Sequence, residues 1–312
     1  MTENLKEEKE PTPGGENDRN RLSRSRCIEA ALVLLIAATA TAAGAFYLTN
    51  YCGVIGPEYV VEPHWFCPSV MLAAGRGFNL VPNLSECPAL AAFLAQQTLS
   101  LSPEELPENL STIPPDPFLR SHRYLFSSVA IMWKLFGISW TSLKGFLAVA
   151  FGLTAAAAFG LFRLGMNRIL SVLATIAFMF SPAVLEILPS LRDFCKAPFI
   201  LGALMLLGLL IRHRAAIVSY IGLSGMLGLV LGIGLGFRQD ILVCFPLSLC
   251  VVAVAMQGWA WRPFLARGTA VALFLLCFIA SGWPILSVNR ESQGNSAHYI
   301  LQGFDMRSEK DM

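Results

Sequence analysis

The segment Ser181-Pro-Ala-Val-Leu-Glu-Ile-Leu-Pro-Ser-Leu-Arg-Asp-Phe-Cys-Lys-Ala-Pro-Phe199 places Glu186, Arg192, Asp193 and Lys196 between two long apolar runs. A hydrocarbon core accepts such charges only where they face a polar cavity, pair with one another or lie at the membrane surface. A second polar turn, Arg238-Gln239-Asp240, ends another apolar run. Two further acids stand in Gly56-Pro57-Glu58-Tyr59-Val60-Val61-Glu62-Pro63-His64-Trp65. A carboxylate held beside the bilayer, Glu62 or its rival Glu58, can take a proton from an acceptor hydroxyl or hold a metal. Plainer readings stand beside these. Residues 192–196 also suit a solvated connection, and Glu62 also suits a helix-start carboxylate before Pro63, worth about 0.3–1 kcal/mol.

The elements that must position these groups are membrane helices. The chain has 312 residues, of which 14% are charged, against about a quarter in soluble domains, and its mean hydropathy is +0.58. Apolar runs occupy residues 27–48, 140–162, 169–188, 197–211, 215–237, 241–256 and 268–286, several reaching the roughly 20 residues that cross a bilayer. The run 124–137 is too short to span and is assigned to the interface, with Trp133 and Lys134 at headgroup level. Arg163 with Arg168, Arg212 with Arg214, and Arg262 with Arg267 then fall on the side of Arg19, Arg21, Arg24 and Arg26. The positive-inside bias therefore selects about seven spans, with the N-terminus cytoplasmic and the C-terminus outside. Residues 1–26 read as a disordered basic tail, 27–286 as the membrane domain, and 287–312 as an outer tail. The protein is expected in the plasma or inner membrane. A net charge of +2 without a clustered basic face gives no support to nucleic-acid binding.

Residues 50–139 form one long outer connection, and loops of that length are often functional. Short helices are expected at 65–74, closed by Gly75 and Gly77, and at 89–99. Pro103, Pro107, Pro114 and Pro115 forbid a regular helix between them. Of the eight cysteines, Cys52, Cys67 and Cys87 share this loop. Outside the cytosol, one disulfide among the three is expected, with the pair left open. No C-x-x-C supports a zinc site. Gly228, Gly232 and Gly236 form a close-packing face that reads as internal packing rather than dimerisation.

The order of these features is a helix, an acid about ten positions later, a short helix ending in Gly-x-Gly-aromatic, "LFG", an apolar span ending in "FRLGMNR", and "SPAVLEILPSLRDF". It resembles the polytopic lipid-linked-sugar glycosyltransferases of the GT-C superfamily, which include protein O-mannosyltransferases, aminoarabinose transferases and the catalytic subunit of oligosaccharyltransferase. The resemblance covers about residues 28–210 and is one of pattern. It implies an all-α GT-C-like bundle and an inverting transfer of sugar from a polyprenyl-phosphate donor to a lipid, glycan or protein acceptor. It assigns Glu62 or Glu58 as base and Asp193 as the second acid. Arg192, Lys196 and Arg238 become donor-phosphate residues, arginine fitting phosphate in a bidentate manner; Asp193 becomes the holder of a divalent cation (Mg or Mn) or of an arginine, and Asp240 the partner of Arg238 rather than a ligand. Many members carry Asp or Asp-Glu where this chain reads Val61-Glu62, and most have more spans. Two rivals belong to other classes, a transporter or flippase of a lipid-linked substrate and an inactive scaffold of the same fold. Transporters often show repeated halves with broken helices; no repeat is visible here, and the charges gather at one face.

Overall fold

A computed structural model describes residues 15–53, 63–258 and 260–291. Glu58 and Glu62 lie outside the described residues. Among the described residues the fold is mostly helical, with one two-residue strand pair and an isolated bridge between Leu80 and Ile113, and five helices are long and apolar enough to cross a membrane: 27–50, 140–162, 191–212, 217–235 and 261–288.

Helix α1 runs Gly15–Asn50. It begins at Gly15, inside the segment that the sequence reading assigned to the tail. The connection after it folds as a compact cap. A 3₁₀ turn at Pro63–Phe66 leads into α2, Cys67–Ala73. Gly75 and Gly77 follow with φ of +79° and +81°, where a side chain would be strained. Arg76 between them fixes the turn: its Nη2 donates to the Leu106 carbonyl at 2.6 Å and its Nη1 to that of Pro107. Helix α3 is Pro88–Leu94, shorter than expected, because the chain turns at Gln96 with φ +56°. Strand β1, Ser100–Leu101, pairs antiparallel with β2, Ile138–Ser139. Between them lie α4, Pro117–Ser121, and α5, Arg123–Phe136.

The cap is held by aromatic rings. Trp133 is 1% exposed and Trp140 fully buried. Phe93 stacks on Trp140 at 5.1 Å, while Phe66 meets Trp133 at 6.0 Å and Trp140 at 5.1 Å. Both indoles are satisfied, Trp133 donating to the Ser139 carbonyl at 2.8 Å and Trp140 to that of Phe93 at 2.9 Å. Trp133 is therefore a core residue rather than a headgroup anchor; its N–H finds a protein carbonyl instead of the interface.

The bundle follows. Helices α6 (Leu143–Phe162), α7 (Arg168–Met179), α8 (Pro182–Ile187) and α9 (Leu191–Phe194) are succeeded by α10 (Ala197–Arg212), α11 (Ile217–Leu235), α12 (Cys244–Val254) and α13 (Trp261–Glu291). Helix α7 stops before the expected end of its apolar run. Ser181 precedes Pro182 and takes the extended conformation, φ −66° and ψ 145°, as a residue before proline prefers. Twelve residues rise only about 18 Å, and α12 is similarly short. Two cores result. One joins the cap to α1, α5, α6 and α9; the other lies among α10–α13. The glycines of α11 let it approach its neighbours. A Cβ at Gly228 would strike the Phe274 carbonyl, one at Gly232 would strike Phe278 and Ser281 of α13, and one at Gly236 would strike Tyr124 of α5. The GxxxG face packs internally.

The chain passes back and forth between two ends. At one end Glu29 of α1 bridges Arg163 after α6 (2.8 Å) and Arg168 at the start of α7 (2.9 Å). At the other, Lys144 of α6 donates to the Cys52 carbonyl beyond α1 at 3.1 Å, and the Tyr124 N–H donates to the Gly236 carbonyl at 3.1 Å. The α8–α9 turn and the residues after α11 also meet at this second end, which carries the cap.

Candidate functional site

Four charged side chains from two connections converge at the cap end. The turn after α8 supplies Asp193 and Lys196; the turn after α11 supplies Arg238 and Asp240. The Arg238 guanidinium pairs with Asp193 through Nη1 and with Asp240 through Nε, the latter at 3.0 Å. Lys196 donates to the same Asp240 oxygen at 2.6 Å. Ser190, one turn before Asp193, donates its hydroxyl to Asp193 Oδ2 at 3.0 Å. The expected pairing of Arg238 with Asp240 is present, and Arg238 also holds Asp193. Burial pushes the Arg238 pKa down, Asp240 opposes the shift, and Arg192 adds to it.

Arg192 does not join this network. Its guanidinium carbon lies 5.7 Å from the centre of the Trp65 ring, a cation–π contact. Trp65 packs on Phe118 at 4.7 Å, and Phe118 on His122 at 4.6 Å. The first long loop, the α9 turn and the α4–α5 junction therefore meet beside the ionic cluster. Glu58 and Glu62 precede Trp65 in sequence and lie outside the described residues.

His122 is 6% exposed. Its Nδ1 is 3.0 Å from the Phe118 carbonyl, which can only accept, so Nδ1 carries the proton. Burial pushes its pKa below the ordinary histidine value. The Phe118 hydrogen bond opposes this, Arg192 and Arg238 add to it, and Asp240 opposes it. A neutral imidazole thus backs the charged cluster. Sequence reading passed over Trp65, His122 and Ser190 as site residues. The regular spacing of Ser190 before Asp193 was the one visible signal; the others come together only through the fold.

A groove of about 730 Å³ opens at the cluster. Ala183, Ile187, Ile200 and Leu201 give it apolar walls, and Glu186, Ser190, Asp193 and Lys196 give it a polar end. One end of the groove is thus polar and its walls are apolar. Of the three cations proposed to hold phosphate, Lys196 lines the groove, Arg238 stands behind Asp193, and Arg192 lies over Trp65.

Among the described residues no three His, Cys, Asp or Glu side chains gather as a metal site. Both oxygens of Asp193 are occupied, by Arg238 and by Ser190, and Asp240 holds two cations. As arranged, these carboxylates fit a guanidinium and an ammonium rather than a divalent ion, which would have to displace Arg238. All eight cysteines are free thiols, so the expected disulfide is absent. Cys67 Sγ accepts from the Val81 N–H at 3.4 Å, and Cys87 directs its thiol to the Glu105 carbonyl at 3.9 Å. Burial pushes the Cys67 thiol up to about 11, away from the thiolate that exchange chemistry needs.

No protein-family model, no curated protein and no solved structure matches this chain.

Proposed function

We propose that this protein is an inverting membrane glycosyltransferase of GT-C-like architecture, which moves a sugar from a polyprenyl-phosphate donor to an acceptor hydroxyl at the extracytoplasmic face. The observation that carries the reading is the meeting of two sequence-distant connections at the polar end of an apolar groove: the Trp65 ring lies 5.7 Å from the Arg192 guanidinium, and the neighbouring Asp193 lines the groove.

The proposed topology has seven crossings, with the N-terminus in the cytoplasm. The alternation of chain direction supports it. The short helix α7 starts beside Glu29 at one end and leads through α8 to Asp193 at the other. With Arg163 and Arg168 at the Glu29 end, the positive-inside bias puts the cap and the cluster outside.

In the proposed reaction the polyprenyl chain occupies the apolar walls and the donor phosphate meets Lys196, Arg192 and Arg238. The acceptor hydroxyl attacks the anomeric carbon. The carbon–oxygen bond to phosphate breaks, its electron pair leaves with the phosphate, and the configuration inverts. The hydroxyl proton passes to Glu62 or Glu58. Positive charge held in place by Asp193 and Asp240 stabilises the leaving phosphate without rearranging, which is where most of the rate enhancement would originate. No step is routed through a metal ion.

The test is transfer of label from polyprenyl-phosphate mannose, glucose and aminoarabinose in membranes carrying the wild-type chain or Glu58→Gln, Glu62→Gln or Asp193→Asn. Transfer by the wild type that falls at least about a hundredfold in one of the two glutamate variants and in Asp193→Asn, the range for loss of a general base, supports the proposal. Equal transfer by the wild type and all three variants refutes it.

A further inference from the structure

The end of the bundle opposite the cap gathers arginines from two turns. Helix α10 ends there at Arg212, and a Cβ at Gly208 would strike Leu164 in the α6–α7 turn. The α12–α13 turn meets the α10–α11 turn, the Gln257 N–H donating to the Arg214 carbonyl at 3.3 Å. Arg262 follows at the start of α13. Arg212, Arg214 and Arg262 are all exposed. We propose that the surface formed by these two turns binds the headgroups of anionic phospholipids in the leaflet at this end.

Three features carry the inference. First, the charge is of one sign. From Ala197 to Val288 the chain holds one acid, Asp240, and it is bound to Lys196 and Arg238 at the cap end. Glu29, which does lie at this end, is engaged by Arg163 and Arg168. Arg214 meets a neutral amide instead: the Gln257 side-chain oxygen, with the amide oriented by its hydrogen bonds, accepts from Nη2 at 2.9 Å and from Nε at 3.0 Å. Its charge is therefore placed but not cancelled, and arginine forks match phosphate oxygens in pairs. Second, the cations stand in an apolar collar. Ile211, Val218, Trp261 and Phe264 are exposed beside them, and the Trp261 and Phe264 rings stack at 6.0 Å. Arg212 and Trp261 end two membrane-length helices, the level at which aromatic rings and lipid phosphates meet. A soluble anion would satisfy the arginines and leave this collar bare; a lipid covers both. Third, the surface is built in advance. Arg267 Nη2 donates to the Met256 carbonyl at 3.2 Å and to that of Gly258, and the Tyr220 hydroxyl donates to the Val252 carbonyl at 2.9 Å. The α12–α13 turn is thus fixed to α13 and α11, and little order remains to be imposed on binding.

The full chain is purified in detergent and mixed with equal amounts of phosphatidylglycerol and phosphatidylcholine, and retained lipid is measured by native mass spectrometry. Wild type is compared with a variant carrying Arg212→Gln, Arg214→Gln and Arg262→Gln together, and with one carrying lysine at the same three positions. The positions are exposed, and unfolding in detergent without lipid checks that the variants are folded. Should the triple glutamine variant fail that check, Arg212→Gln with Arg262→Gln keeps the Arg214–Gln257 contact and is read in the same way. A basic residue near an anionic surface is worth about fivefold in affinity. Wild type should therefore favour phosphatidylglycerol by about tenfold or more, the glutamine variant should fall to near parity, and the lysine variant should keep most of the preference. Equal retention of the two lipids by wild type, or a preference that the glutamine variant keeps unchanged, overturns the proposal. In a parallel arm, thermal unfolding is compared in sodium phosphate and sodium chloride of equal ionic strength. A rise specific to phosphate without any lipid preference also overturns it, because the occupant would then be a soluble anion. Sugar transfer is not read in either arm, so this outcome is independent of the proposed reaction.

Discussion

Arg238 is the hinge of the ionic cluster, and a double-mutant cycle with Asp193 measures how firmly. The Arg238 side chain is 21% exposed, while those of Asp193 and Asp240 are 46% and 41% exposed. At a separation of 3.0 Å, as between Arg238 and Asp240, an effective dielectric of about 40–80 gives a Coulomb term of roughly 1.4–2.8 kcal/mol. Fully exposed pairs net about 0.2–1 kcal/mol, and the partial burial of Arg238 moves this pair above that range. The Arg238–Asp193 coupling should therefore be about 1–2 kcal/mol. Arg238→Gln and Asp193→Asn, singly and together, are compared by reversible unfolding in mixed detergent micelles. Arg238→Gln should cost more than Asp193→Asn, because it unpairs Asp193 and leaves Asp240 with Lys196 alone. The double variant should cost less than the sum of the two. Raising the salt to about 1 M should shrink the coupling, since the Debye length falls to about 3 Å and both carboxylates face solvent. A coupling below about 0.5 kcal/mol, the scatter of independent sites, refutes the cluster as drawn.

Two further outcomes follow from the packing. The lowered pKa of His122 means that the folded state resists a proton which the unfolded chain accepts near the ordinary value of about 6.5. Stability should therefore be full above that pH and decline as pH falls below it, and His122→Gln should flatten unfolding curves compared at pH 7.5 and 5.5. Gly232→Leu should cost at least about 1–3 kcal/mol by forcing α11 from α13, whereas Gly222→Ala, where a Cβ meets nothing within 4 Å, should be neutral or stabilising by up to about 1 kcal/mol; equal effects of the two in the same assay would contradict the α11–α13 contact.

Much of the fold was legible because its signals are local. Gly75 and Gly77 take positive φ just after α2, where the sequence placed a stop. The break of α7 was legible too, since proline restricts the residue before it, yet the unbroken hydropathy from 169 to 188 outweighed Pro182 in the reading. Trp133 was misplaced for a different reason. An amphipathic 14-residue helix with a tryptophan near its end suits an interface equally well, and only Phe66, Phe93 and Trp140, distant in sequence, make it a core residue. The lengths of α7 and α12 belong to the same class, because hydropathy counts residues while turns decide how many of them stay helical.

The charges of the site were legible, and so was the pairing of Arg238 with Asp240. Hydropathy isolates Asp193 and Lys196 as polar residues at helix ends, but it cannot say that Asp193 answers Arg238 rather than a metal, or that Asp240 also holds Lys196. That distinction bears on where a phosphate would first be held under the proposed function. Among the described residues Asp193 and Asp240 engage Arg238 and Lys196 but not Arg192, and Glu186 stands at the polar end of the same groove. Lys196 and Arg238 are already engaged by Asp240 and Asp193, and a phosphate reaching either must compete with a carboxylate a few ångströms away. Arg192 instead meets the face of Trp65. A contact of that kind draws on the guanidinium charge and leaves its in-plane N–H groups suited to oxygen pairs. Arg192 is therefore the one of these three cations that neither Asp193 nor Asp240 engages. In the proposed reaction Arg192 would meet the leaving phosphate first, with Lys196 and Arg238 held behind it by their acids as fixed electrostatic support rather than as the initial grip.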